Sequence, residues 1–148
     1  IHKVSNVTAP RLPLKSYEDK SAFKIFILDI GLLGAMSGLD SATIVEGNRI
    51  FTEFKGALTE QYALQELTLR HEPFYFSKAN SQQEIDFLLQ ESGNIIPIEV
   101  KAEENLKAKS LRQFVTDYEP AAAYRASMSN YRKETWMTNI PLYALAAI

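Results

Sequence analysis

The fold is decided by residues 84–101, which read EIDFLLQESGNIIPIEVK. Two strand-like runs, Glu84–Gln90 and Ile95–Ala102, flank the tripeptide at 92–94, Ser-Gly-Asn, whose chemistry is typical of a tight hairpin turn. The pattern predicts two neighbouring antiparallel strands. A third strand is predicted immediately before them, at Phe74–Ser77.

The second strand of this hairpin separates apolar from charged side chains. Because side chains alternate between the faces of a strand, one face receives an apolar set, namely Ile96, Ile98 and Val100. Glu99 and Lys101 share the other face, about 7 Å apart at a rise of roughly 3.3 Å per residue. On an exposed face they would form an ordinary solvated ion pair.

The first strand adds a second carboxylate. The same alternation puts an apolar set on one face, namely Ile85, Phe87 and Leu89. Asp86 is left on the opposite face, and the short hairpin is expected to bring it near Glu99. Two close carboxylates repel each other unless a cation lies between them, and oxygen ligands favour Mg²⁺ or Mn²⁺.

A long helix precedes the three strands. Phe54–Arg70 contains no proline and is predicted to be helical, with Pro73 as the stop. At roughly 100° per residue, Glu60 projects from the apolar side of this helix, whereas Glu66 projects with Tyr62 and is the weaker candidate. A carboxylate that points inward needs a partner or a metal, so Glu60 is the third candidate acid.

The N-terminal third predicts smaller elements. Strand patterns occur at Ile1–Val7 and Phe23–Leu28. Asp29 is expected to cap a short helix that ends at Gly38, and Thr43–Gly47 is expected to continue as helix or loop.

The C-terminal third adds one helix and two further strand candidates. Apolar residues with helical spacing predict an amphipathic helix, with a buried stripe of Leu111, Phe114, Val115 and Tyr118. Strands are predicted at Ala121–Met128 and Thr135–Tyr143, separated by a polar turn at Ser129–Lys133. The order of elements favours an α/β fold with a mixed sheet.

Composition excludes several classes of site. The 148 residues are 46% hydrophobic, which suits one domain with a real core, and they contain no Cys, which excludes disulfides, Cys-based zinc sites and thiol nucleophiles. The formal net charge of −2 counts against binding nucleic acid by bulk charge. No apolar run approaches the roughly 20 residues of a membrane helix and no signal peptide is recognisable, so a cytoplasmic location without membrane contact is expected.

Along the chain, the candidate residues are Glu60 on a helix, Asp86 on one strand and Glu99-Val100-Lys101 on the next strand. This order resembles that of the PD-(D/E)XK nuclease-like superfamily. The phrases SAFKIFILDIGLLGAMSG, FKGALTEQYALQEL, EIDFLLQ and IIPIEVKAEENLKAKSLRQF are similar to domain of unknown function 4143, found at the C-terminus of prokaryotic ATP-binding proteins. The resemblance implies a restriction-endonuclease-like core over residues 51–148, with a helix, a three-stranded sheet, a helix and a strand. Residues 1–50 would form an appendage of strand, loop and short helix packed on that core.

The superfamily's site residues carry over position by position. Asp86, Glu99 and the carbonyl of Val100 would hold Mg²⁺ or Mn²⁺. Lys101 would orient or activate the attacking water, and Glu60 would hold metal-bound water or a second ion. The resemblance thus implies a metal-dependent endonuclease that acts on DNA, with Lys101 and Glu60 as its catalytic residues beside the metal ligands.

The family also implies a partner. Its members carry an upstream AAA-type ATPase domain, whose G-x-x-x-x-G-K-[S/T] motif is absent from this sequence. ATP is therefore not expected to bind this fragment, which is expected to be a piece of a longer protein. The basic residues expected to border a DNA path are Lys101, Lys107, Lys109, Arg112 and Arg125.

Two alternatives remain open. The domain could be a non-catalytic module that regulates the ATPase or binds a protein partner, with Trp136 as a candidate contact residue. The strands at Ile1–Val7 and Phe23–Leu28 could instead pair with the missing upstream region, which would leave an exposed sheet edge in this fragment and favour a homodimer.

Overall fold

A mixed eight-stranded sheet organises the chain, which confirms the predicted α/β class. The computed structural model describes residues 1–40, 42, 49–78, 83–102 and 107–148. The strands are β1 (His2–Val7), β2 (Glu18–Phe26), β3 (Phe74–Ser77), β4 (Glu84–Glu91), β5 (Asn94–Lys101), β6 (Tyr124–Ser127), β7 (Arg132–Lys133) and β8 (Thr138–Pro141). Their order across the sheet is β2-β1-β3-β4-β5-β6-β8-β7.

Helices pack on both faces of this sheet. The helices are α1 (Ile30–Met36), α2 (Arg49–Leu67) and α3 (Lys109–Tyr118), with short 3-10 turns at Leu14–Tyr17 and Leu142–Ala147. On one face, α2 contributes to a core with β4 and β5, which includes Leu64, Leu67, Phe87, Leu89 and Ile98. On the other face, α3 contributes to a second core, which includes Leu111, Phe114, Phe76, Ile85 and Leu88. None of the helices in the described part of the chain combines the length and apolar character needed to cross a membrane.

The predicted hairpin is confirmed. Strands β4 and β5 pair antiparallel, and Glu91 faces Asn94 at the closed end. The two residues between them have positive φ, 49° at Ser92 and 75° at Gly93. This is the left-handed backbone that a two-residue hairpin turn of type I′ requires, and glycine adopts it without steric cost.

The predicted alternation along β4 is wrong at Ile85. This side chain packs in the core beside α3, whereas Phe87 and Leu89 pack beside α2. The cause is a β-bulge, because three residue steps of β4, from Ile85 to Leu88, lie opposite two steps of β3, from Phe76 to Phe74. A bulge inserts one residue and re-aims the side chains around it, and Asp86 lies at this point.

The N-terminal residues join the sheet. Strand β1 pairs parallel with β3 and antiparallel with β2, so β2 is an edge strand. β2 begins at Glu18, earlier than the predicted Phe23. The prediction for Thr43–Gly47 lies outside the described residues.

The end of the chain differs from prediction in detail. The strand predicted over Thr135–Tyr143 is confined to β8, and a 3-10 turn follows because Leu142 and Leu145 pack back into the core beside α2. In α3, Leu111 and Phe114 are buried as predicted, but Tyr118 at the helix end is 39% exposed.

Asp29 caps α1 as predicted. Its Oδ1 accepts a hydrogen bond of 2.9 Å from the backbone N–H of Leu32. We expect Asp29→Ala to lower the free energy of unfolding by about 1 kcal/mol, because an orphan amide of the first turn loses its acceptor. Urea unfolding measures this, with Asp29→Asn as the control that keeps an acceptor. Equal loss in both variants would contradict the capping role.

Candidate functional site

Asp86 lies where the paired residues of β4 and β5 end. The last such pair is Phe87 with Ile98, and beyond it β5 continues in parallel pairing with β6. There the Oδ2 of Asp86 accepts a hydrogen bond of 2.7 Å from the N–H of Val100. The carboxylate of Asp86 is therefore tied to the residue that stands between Glu99 and Lys101.

The surroundings of Asp86 disfavour its charge. Burial raises the pKa of Asp86 from its ordinary value of 3.8 to about 7, and the nearby charges of Glu60 and, less strongly, Glu99 act in the same direction. The Val100 N–H and Lys24 lower the pKa by less. The structure thus brings Asp86 within electrostatic reach of both other predicted acids.

Glu60 has a partner that the sequence analysis missed. The Nζ of Lys24, on β2, lies 3.6 Å from Oε2 of Glu60 and 2.5 Å from Oε1 of Glu84. The ammonium also lies 5.2 Å from the centre of the Tyr75 ring. An inward carboxylate requires a counter-charge, and for Glu60 that counter-charge is Lys24.

The balance of effects on Lys24 keeps it charged. Burial lowers the pKa of Lys24, but the hydrogen bond to Glu84 and the charges of Glu60, Glu84 and Asp86 outweigh burial, so the net shift is upward. The sequence contained a usable signal, because Lys24 is two residues from the buried Phe26 and therefore shares its inward face.

Glu99 and Lys101 form an ion pair on a shared face of β5, as predicted. Their Oε1 and Nζ atoms are 2.7 Å apart, and the Glu99 side chain is only 6% exposed, against 32% for Lys101. The pair is therefore not an ordinary solvated one. The Oε2 atom of Glu99 is buried and has no hydrogen-bond partner within the described ranges.

Arg125 is the residue beside Glu99 on β6. It is 3% exposed, and its Nε donates a 2.9 Å hydrogen bond to Oδ1 of Asn139. Its Nη2 atom lies 3.8 Å from Oε1 of Glu134. Burial lowers the pKa of Arg125, and the carboxylates of Glu134 and Glu99 oppose that shift.

The prediction that Arg125 borders a DNA path is therefore wrong, because a side chain buried in the sheet cannot line an open surface. Lys107, Lys109 and Arg112 are exposed as that prediction requires. The Arg112 guanidinium lies 5.5 Å from the ring of Trp136, which packs against the core beside α3.

Glu66 lies close to Tyr62 on α2. Burial and then the charge of Glu66 raise the pKa of Tyr62, which places these two side chains together as the helical spacing predicted. Glu66 accordingly stays the weaker candidate.

The donor set suits a hard cation in part. Within residues 1–40, 42, 49–78, 83–102 and 107–148, no three His, Asp or Glu side chains are grouped so that they could hold a metal ion together. Mg²⁺, however, commonly binds one or two carboxylates and keeps several waters. The buried Oε2 of Glu99 and the carboxylate of Asp86 are oxygen donors of this kind, and a third oxygen is the carbonyl of Val100, which follows Glu99 and bonds Asp86 through its N–H.

Comparison with known proteins yields one match. A family model described as "Domain of unknown function (DUF4143)" matches residues 55–145, which is more than half of the chain and includes every candidate acid. No curated protein and no solved structure shows significant similarity.

Proposed function

The chain belongs to the DUF4143 family, and we propose that this domain is a metal-dependent phosphodiesterase that hydrolyses DNA. One observation carries the proposal. The N–H of Val100 bonds Asp86, while the flanking Glu99 and Lys101 form a largely buried ion pair. Two acids and an amine, from two neighbouring strands, are thus joined through a single residue.

The residues have separable roles in this proposal. Asp86, Glu99 and the Val100 carbonyl would hold Mg²⁺ or Mn²⁺, which neutralises charge on a phosphoryl group and lowers the pKa of a bound water. Lys101 is one-third exposed, so its ammonium can face both Glu99 and a phosphate in solvent. Glu60 faces Lys24. In this proposal, the role of Glu60 is to hold the Lys24 ammonium near Asp86.

The wider setting belongs to the same proposal. The site order supports membership of the PD-(D/E)XK nuclease superfamily with a restriction-endonuclease-like core, and an AAA-type ATPase domain of the same polypeptide would bring the site to DNA in the cytoplasm. With a net charge of −2, the chain is expected to bind DNA weakly by itself, so low ionic strength is appropriate for assays.

We expect Lys101→Ala to slow DNA cleavage by about 100-fold, because a charge that stabilises the transition state is lost. Nicking of supercoiled plasmid and cleavage of branched DNA, each with Mg²⁺ or Mn²⁺, measure this effect. Lys133→Ala is the matched control, since Lys133 is an exposed lysine of β7 that is not among the residues expected to border DNA. Equal nicking by the wild-type protein and Lys101→Ala would refute the proposed site.

A non-catalytic interaction module is the second candidate, and α1 favours it. This apolar helix has no buried residue, and Leu32 and Met36 are 46% and 69% exposed. Under this reading, Leu32→Asp would weaken binding to the ATPase domain, whereas Lys101→Ala would leave that binding unchanged. Unchanged ATPase binding in Leu32→Asp, together with slower DNA cleavage in Lys101→Ala, would favour the nuclease.

A further inference from the structure

A cavity of about 420 Å³ lies where β1 and β3 end, and it contains none of the candidate acids. Asn6 of β1 and Arg11 of the loop that follows β1 contribute to its lining, as does Lys78, which directly follows β3. Tyr118, the last residue of α3, forms another part of the wall. The cavity thus combines cations, a side-chain amide and an aromatic ring.

This cavity and the proposed cleavage site share one edge of the sheet. Ser77 ends β3 and pairs with Glu84, where β4 begins, and the next strand, β5, runs antiparallel to β4 and ends at Lys101. At about 4.8 Å between neighbouring strands, the ends of β3 and β5 are roughly 10 Å apart. Lys101 also lies on the face of the sheet that carries α3, because its neighbour Val100 packs on the face that carries α2. One strand of nucleic acid can therefore reach both places.

The cations of the cavity are available to an anion. The side chains of Arg11 and Lys78 are exposed, and neither forms an ion pair with another residue that the structure describes. Among the described lining residues, Asp19 is the one carboxylate, and its Oδ1 already accepts hydrogen bonds from the N–H and the hydroxyl of Ser21. Two cations against one carboxylate favour an anionic ligand, and a phosphate group suits arginine and lysine.

The remaining groups suit a nucleobase. The Tyr118 ring packs edge-on against Phe76 and at a tilt against Phe114, yet 39% of Tyr118 is exposed. The core therefore fixes a ring that is still partly open at the cavity. The Oδ1 of Asn6 accepts a 3.0 Å hydrogen bond from the N–H of Ser77, which leaves the amide NH2 of Asn6 as a donor. Unpaired bases stack on aromatic rings and form hydrogen bonds through their edges.

We propose that this cavity binds one unpaired nucleotide of the DNA strand that the neighbouring acid cluster cleaves. The inference rests on the proposed function and names its substrate class, which is DNA with a single-stranded segment, such as a flap, a gap or a fork. Arg11 and Lys78 contact the phosphate, and Tyr118 stacks on the base. In an intact duplex each base is covered by its neighbours, so a duplex offers the phosphate contacts without the stacking.

Fluorescence anisotropy of a labelled single-stranded oligonucleotide of about ten nucleotides tests the inference. EDTA is present, so that binding is measured without cleavage. The wild-type protein is expected to bind this strand more tightly than a duplex of the same length. Tyr118→Leu should weaken binding about tenfold because it removes the stacking surface, whereas Tyr118→Phe keeps the ring and should bind like the wild type.

The salt dependence of binding tests the two cations. Each phosphate of a single strand that a cation neutralises contributes about 0.7 to the slope of log K against log[salt]. Arg11→Gln and Lys78→Gln should therefore each reduce the magnitude of this slope by about 0.7. Lys133→Gln is the matched control, because Lys133 is an exposed lysine of β7, at the opposite edge of the strand order, and it should keep the wild-type slope. Circular dichroism establishes that each variant folds, and the two exposed cations still test the cavity if Tyr118→Leu does not.

The outcomes separate the two proposals. An unchanged slope in Arg11→Gln or Lys78→Gln, wild-type affinity in folded Tyr118→Leu, or duplex binding as tight as single-strand binding overturns the inference. The proposed function survives each of these results if the wild-type protein cleaves DNA with Mg²⁺ or Mn²⁺ and Lys101→Ala does not. Conversely, single-strand binding that depends on Arg11 and Lys78, in a protein that cleaves no DNA with either metal, would support the nucleotide site and refute the phosphodiesterase.

Discussion

Asp86→Asn is expected to stabilise the metal-free protein, raising the free energy of unfolding by on the order of 3 kcal/mol at pH 8 and by little at pH 4. The carboxylate of Asp86 is held in a place that disfavours its charge, since burial and the charge of Glu60 raise its pKa to about 7. An amide has the same shape, carries no charge and can still accept the Val100 N–H.

The sign of the pH dependence follows from proton uptake. Between pH 4 and pH 7 the folded state holds a proton on Asp86 that the unfolded chain has released. The contribution of Asp86 to stability therefore falls as pH rises through this range and levels off above pH 7. A shift of roughly 3 pKa units, at 1.36 kcal/mol per unit, sets an upper bound of about 4 kcal/mol.

Urea unfolding between pH 4 and pH 8 in the presence of a chelator measures this effect. The charged groups that face Asp86 are Glu60 on α2, Lys24 on β2 and Glu99 on β5, and all three are retained in the variant. Asp117→Asn, at an exposed carboxylate of α3, is the control and should follow the wild-type curve. If the Asp86→Asn curve also ran parallel to the wild-type curve, the charge of Asp86 would not be costly.

The same substitution should abolish cation binding and cleavage, because it removes a proposed ligand. A variant that is more stable and inactive is typical of a site that carries costly charges for function.

Arg125→Leu is expected to lower the free energy of unfolding by about 3 to 5 kcal/mol. Its guanidinium is almost fully buried, lies beside Glu99 on the adjacent strand and donates to Asn139. Removing one member of a buried charged set leaves the remaining buried charges without compensation. The resulting loss in the free energy of unfolding is larger than the net stabilisation that the intact charged set provides.

Arg132→Leu is the matched control for Arg125. Arg132 approaches the same Glu134 carboxylate, at 2.5 Å, but its side chain is 62% exposed. Exposed ion pairs contribute under about 1 kcal/mol. Thermal or urea unfolding of both variants tests the difference, and similar small losses in the two would show that the buried network does not stabilise the sheet.

Local patterns predicted much of the fold. The hairpin turn at 92–94, the strand at Phe74–Ser77 and the cap at Asp29 each depend on residues close together in sequence. The pairing of Glu99 with Lys101 follows from the alternation of one strand. Such features are short-range, so propensity and spacing suffice to predict them.

Three features depend on which strands become neighbours. The bulge that turns the Ile85 side chain to the opposite face of the sheet arises from the pairing of β4 with β3. Arg125 is buried because β6 lies inside the sheet, between β5 and β8. Lys24 reaches Glu60 because residues 1–26 add two strands to that sheet, next to β3.

The sequence by itself therefore determined the hairpin of β4 and β5 and the helices α2 and α3, and it named three candidate acids and one amine, since each is specified by periodicity along a single helix or strand. Only the tertiary structure decided that Lys24 is the counter-charge of Glu60. The physical reason is that electrostatic partners are selected by distance in space, and a contact across 36 residues of sequence, as between Lys24 and Glu60, leaves no periodic trace.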